Sequence, residues 1–148
     1  MEKTSVFREV TPMDAPIRQS DLPDPLALAV LGDAIFSHAV RAMLVARGVS
    51  RAGDLTRLSL AYVTAEAQSE GFLLVEPSLS DDEAALCRRA QNAGHLNRPR
   101  HASPADYRRA TALEALLGML EVTGRTERLR AITDRVIAGL THREETLP

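Results

Sequence analysis

From Asp24 to Leu140 the chain reads as one helix start signal after another, with no stretch that alternates as a β-strand would. Asp24-Pro25 sets an N-cap acid before a proline at the first helical position, and Gly48 closes that run. Leu55, Leu58, Ala61 and Tyr62 fall at helical spacing, and the β-branched pair Val63-Thr64 predicts a break, with Thr64 capping a new helix. A turn is expected near Pro77. Ser80-Asp81-Asp82-Glu83 is a capping box, and its helix fades at Gly94. Ser103-Pro104 opens a helix that ends at Gly124, and Thr126 opens the last one. Alanine and leucine carry the apolar content, aromatics are 3% and Trp is absent, which favours helices over a sandwich or barrel. The expected fold is all-α, a single compact domain of five to seven helices, with the first helix central and buried.

The 148 residues suffice for one domain, and 45% hydrophobic residues exclude wholesale disorder. Residues 1–22 read as an N-terminal extension, 23–141 as the domain and 142–148 as a C-terminal tail. The single cysteine, Cys87, excludes an intramolecular disulfide or a Cys-based zinc site and reads as a packing residue in a reducing compartment. The first twenty residues lack a secretory apolar core. Leu26 to Ala46 is interrupted by Asp33, His38 and Arg41, so no membrane span is expected and the protein reads as soluble and cytoplasmic.

Two acids break the apolar pattern. Asp33 lies among Ala29, Val30, Phe36 and Ser37, and Glu114 among Ala110, Thr111, Leu117 and Gly118. A buried carboxylate must be protonated, paired with a cation or bound to a metal. Gly32 precedes Asp33 and Gly118 lies one turn beyond Glu114, so two helix backbones could approach closely and bring both acids to one point. Mg²⁺ commonly takes one or two carboxylates and keeps several waters, and such an ion can activate a water against a phosphodiester. The competing arrangement pairs each acid with an arginine or leaves it in solvent at the helix edge.

Charge is unevenly spread. From Ala84 to Thr111 six arginines (Arg88, Arg89, Arg98, Arg100, Arg108, Arg109) face one acid, Asp106, a net of +5 against −7 for the remainder. His95 and His101 add donors. With a formal net charge of −2 the chain is not a globally basic nucleic-acid binder, but this segment can grip phosphates, unless it is an ordinary solvated surface.

The stretches LALAVLGDAIFSHAVR (26–41), DLTRLSLAYVTAEAQ (54–68), DDEAALCRRAQNA (81–93) and YRRATALEALLGMLEVTGRTERL (107–129) resemble, in order and spacing, Mini-ribonuclease III, the short branch of the ribonuclease III family without a double-stranded-RNA-binding domain. The resemblance covers roughly residues 24–140. It implies an all-α, homodimeric endoribonuclease that cleaves double-stranded RNA with Mg²⁺ (Mn²⁺ as a substitute), in maturation of ribosomal RNA, the large-subunit precursor. It places the catalytic and metal-binding acids at Asp33 and Glu114. Two further acids of full-length ribonuclease III enzymes are replaced by Ala29 and Thr111, as in the Mini branch. RNA contacts are expected from Arg88, Arg89, Asn92, His95, Arg98, Arg100, Arg108 and Arg109. One departure stands out: Arg89-Ala90-Gln91-Asn92-Ala93-Gly94 lacks a glycine, an arginine and a lysine common in the family, with Arg98 and Arg100 placed to compensate. The rival reading is a non-catalytic RNA-binding or ribosome-associated protein that keeps the fold.

Overall fold

The structure is a computed structural model and describes residues 15–93 and 101–148. It contains six α-helices and, among the described residues, no strand: α1 (Pro25–Ala46), α2 (Ala52–Val63), α3 (Ala65–Val75), α4 (Asp81–Gln91), α5 (Pro104–Val122) and α6 (Thr126–Leu140). Short 3-10 turns flank them at Gln19–Asp21, Glu76–Ser78 and Thr141–Thr146.

The helix boundaries follow local chemistry. Ser80 and Glu83 form the reciprocal capping box of α4, with Glu83 N–H donating to Ser80 Oγ and Ser80 N–H to Glu83 Oε1. Ser103 caps α5 by accepting from Asp106 N–H. Thr64 ends α2 in extended geometry and accepts from Ala67 N–H, so α2 and α3 are separate helices. Gly48 and Gly124 take left-handed geometry just past α1 and α5, at φ of 104° and 72°, where a Cβ would be strained. Asp24 precedes α1 without a side-chain cap bond.

The central element is α5, not α1. From Ala110 to Val122 every residue is buried except Glu114 and Glu121, and α1, α3, α4 and α6 all pack on α5. Helix α1 buries only one face, through Leu28, Gly32, Phe36, Val40 and Leu44, and leaves Val30 75% exposed. A run that is apolar on all sides does not by itself say how many sides are covered. That same run, Pro25–Ala46, is long and apolar enough by length and composition to cross a membrane, contrary to the expectation from its polar interruptions. Core helices of water-soluble folds pass the same test, and here one face is spent on α5.

Within the core, Phe72, Tyr62, Leu86, Met119 and Leu140 fill the space between helices. Cys87 is buried and its thiol reaches the Ala112 carbonyl at 3.7 Å. Burial pushes that thiol up to about 12, which suits the packing role expected of it. Two polar ties lock the ends. Residues 15–19 lie along α4 and the start of α6, where Asp82 accepts from Ile17 N–H at 2.8 Å and Arg125 Nη2 donates to the Ala15 carbonyl at 2.6 Å. After α6, Glu144 accepts from both Arg47 and the Tyr62 hydroxyl.

Candidate active site

Helices α1 and α5 touch backbone to backbone. A Cβ on Gly32 would lie 1.7 Å from the Glu114 carbonyl oxygen, and one on Gly118 would lie 2.1 Å from that of Leu28. No side chain larger than hydrogen fits at either position without parting the helices. The crossing sets the Asp33 carboxylate, one residue after Gly32, against Glu114, and the two carboxyl groups are close enough to share a hydrogen bond. The small residues thus do what their positions suggested.

The two acids do not share one environment. Glu114 is half-buried, whereas Asp33 is exposed. The apolar pattern around them predicts burial for both, with exposure at the helix edge as the alternative. Asp33 escapes because α1 is covered on one side only, so part of the solvent-edge alternative holds for it. Pairing with arginine does not. Among the described residues neither acid has a Lys, Arg or His partner. Burial first, then the hydrogen bond and charge of Asp33, push the Glu114 carboxyl up to about 8, while a hydrogen bond from Gln68 pulls the other way. Gln68, on α3, is buried, and its Nε2 lies 3.5 Å from Glu114 Oε2 and 3.0 Å from the Val63 carbonyl. Sequence reasoning gave this residue no task. Its signal was a lone amide on the α3 face that also carries Phe72 and Gly71.

The arrangement fits a hard cation. It offers carboxyl oxygens with no Lys, Arg or His partner among the described residues, and burial beside Asp33 favours the protonated form of Glu114. Among the described residues no three His, Cys, Asp or Glu side chains converge, so an ion here would rest on two carboxylates and complete its shell with water.

Of the expected RNA-contacting residues, Arg88, Arg89 and Asn92 come together. They are exposed at the end of α4 and, with Pro25 at the start of α1, line an open cleft of about 570 Å³. From Pro25 to Asp33, α1 advances about 12 Å at the usual helical rise. Arg89 Nη1 also holds the Gln19 side chain at 3.2 Å. Arg108 is exposed on α5, and Arg109, half-buried, lies 3.9 Å from Asp106. His95, Arg98 and Arg100 lie outside the described residues.

Residues 26–125 match the ribonuclease III domain family. The chain is 39% identical over 121 residues to a Mini-ribonuclease 3 of Brevibacillus brevis, covering 82% of this chain and 90% of that one. The chain belongs to the Mini-ribonuclease III family. A second member, from Symbiobacterium thermophilum, is 42% identical over 108 residues, 73% of this chain and 83% of its own length. A crystal structure of a Fusobacterium nucleatum protein superposes with a TM-score of 0.71 at 29% identity, covering 78% of this chain and 93% of that one. Family membership makes the chain an endoribonuclease, and the all-α domain is the family's fold.

Proposed function

We propose that the chain cleaves double-stranded or structured RNA at the α1–α5 crossing, with Asp33 and Glu114 as its catalytic acids and metal ligands. The observation that carries this reading is the pair itself: two carboxyl groups held against each other by glycine-mediated backbone contact, with no Lys, Arg or His paired to them among the described residues. Mg²⁺, or Mn²⁺ in its place, would be held by these two side chains and supply charge that offsets the negative phosphodiester and favours attack by water. Asp33, facing solvent, is the accessible side of the pair. Glu114, carried on the central helix α5, would bind such an ion as the carboxylate. Arg88, Arg89 and Asn92 hold phosphates along the cleft at the α1 N-terminus, and Arg108 and Arg109 do so from α5. His95, Arg98 and Arg100 belong to the same basic segment. Recognition is by shape, backbone and 2′-hydroxyls, because A-form RNA hides its major-groove edges.

The active form we propose is a homodimer. Ala27, Val30 and Ala34 form an exposed apolar stripe at helical spacing on the side of α1 away from α5. A two-fold pairing there would set two acid pairs on one face, one for each strand of a duplex. The proposed setting is cytoplasmic, the substrate a ribosomal RNA precursor of the large subunit.

The test is duplex-RNA cleavage in Mg²⁺, in Mn²⁺ and in EDTA, with Asp33→Asn and Glu114→Gln beside the wild type. Cleavage is expected only with a metal and only by the wild type, and single-stranded RNA is expected to be a poor substrate. Retained binding with no cleavage of any duplex would replace this reading with that of a non-catalytic RNA-binding protein.

A further inference from the structure

Gln68 is 2% exposed, and its carbonyl oxygen Oε1 is buried without a hydrogen-bond partner among the described residues. Leaving such an acceptor unpaired costs on the order of 1–3 kcal/mol, so a core position with no further task would favour an apolar side chain. The amide nitrogen, by contrast, is doubly placed. One of its hydrogens goes to the Val63 carbonyl at 3.0 Å, and the nitrogen lies 3.5 Å from Glu114 Oε2.

The first of these contacts exists because α2 ends at Val63. Carbonyls in the last turn of a helix have no partner within it. Thr64 turns the chain into α3, and Gln68 in the first turn of α3 reaches back to that spare carbonyl. The break between α2 and α3 therefore serves as a fixed mount for an amide beside Glu114. Without it, a continuous helix would use the Val63 carbonyl itself and leave Gln68 unanchored.

We propose that Gln68 is a positioning residue of the cleavage reaction: its N–H orients the Glu114 carboxylate toward Asp33, and its free Oε1 accepts a hydrogen bond from a water at the same site. The inference rests on the function proposed above and adds to it the third helix of the site. Partners of this kind, which fix the orientation of a metal-binding side chain, commonly change metal affinity or activity by about 10- to 100-fold when removed.

The experiment uses Gln68→Met, which keeps the volume and flexibility of the side chain and removes both amide functions. Mn²⁺ binding by calorimetry, duplex-RNA kinetics and melting in EDTA are measured for wild type, Gln68→Met and Glu114→Gln. The expected result is a melting temperature close to that of the wild type. Mn²⁺ affinity should be weaker by about tenfold or more and kcat lower by a similar factor, with KM for the duplex unchanged. A purely packing role predicts wild-type Mn²⁺ affinity and kcat in the folded variant, and that result overturns the proposal. Should Gln68→Met not fold, Gln68→Asn keeps the amide but cannot span Val63 and Glu114 together, and is read by the same criteria. A wild type that neither binds Mn²⁺ nor cleaves RNA removes the proposed function and this role with it. Wild-type behaviour of Gln68→Met beside a dead Glu114→Gln removes the role of Gln68 alone.

Discussion

Glu83 and Glu114 are two withdrawn glutamates on adjacent helices of one core, and they titrate in opposite directions. Burial works against the charge of Glu83, but Arg128 donates to it twice, at 2.9 and 3.0 Å, and Ser80 N–H adds a third bond at 2.9 Å, so its carboxyl is held below the ordinary range. Glu114 meets burial, another carboxylate and one long amide contact, and is pushed up to about 8. The difference is the presence of a cation supplied by the fold. Where the sequence provides an arginine the acid joins α4 to α6. Where, among the described residues, it sets a second acid and no arginine beside the first, the carboxyl is pushed toward its protonated form.

Removing each charge should therefore have opposite effects on stability. Glu83→Gln takes the counter-charge from the half-buried Arg128 guanidinium, which keeps its bond to the Ser78 carbonyl, and should cost about 1.5–3 kcal/mol in a denaturant melt, while the molecules that remain folded still cleave RNA. Glu114→Gln removes the cost of keeping a proton on a buried carboxyl that the unfolded chain would release. In EDTA it should leave the protein as stable as before or more stable by about 1 kcal/mol, although cleavage in Mg²⁺ is lost. A large loss of stability from Glu114→Gln would mean that the acid is a structural element like Glu83, and would break the contrast.

The same contrast predicts two pH windows. For Glu114 the folded protein keeps a proton that the unfolded chain releases near 4.5, so metal-free stability should fall as pH rises from about 4.5 to about 8 and level off above. Glu83, with its folded value depressed, contributes stability that is present above the ordinary carboxylate value and lost as pH falls below it. Melting temperature against pH in EDTA should show both limbs, and Glu114→Gln should flatten only the upper one.

The smallest effect expected is at the basic face. Exposed Arg88 and Arg108 carry no packing burden, and replacing both with Ala should leave the melt unchanged while lowering the salt dependence of duplex binding by about one to two units of log slope. An unchanged slope would take these two arginines off the RNA path.

How much of this was legible beforehand depends on whether the signal is local. Capping residues act within one turn, so the starts of α4 and α5 and the Thr64 break could be read from Ser80, Ser103 and Thr64 alone. The glycine crossing was also legible, because Gly32 and Gly118 stand beside acids that need a common explanation. Which helix lies at the centre was not. Apolar α1 and α5 look equally buriable, and only the arrangement of four neighbours around α5 decides between them. The pattern leaves the exposure of Asp33 open for that reason, since it depends on the uncovered side of α1. The opposite fates of Glu83 and Glu114 were hidden as well, because the Arg128 that separates them is 45 residues distant from Glu83 in the chain. Gln68 escaped notice because a single amide in a helix has no periodicity to betray it.

The buried thiol of Cys87 gives this molecule a built-in clock. Inside the core it is both inaccessible and held in its unreactive form, and in the opened chain it becomes an ordinary thiol. With one cysteine in the whole sequence, each alkylation event records a single opening of the contact between α4 and α5, with no second site to confuse the count. The rate of labelling by a small maleimide, followed by mass, would then report how often that part of the core comes apart under native conditions, without denaturant and without a tryptophan to observe.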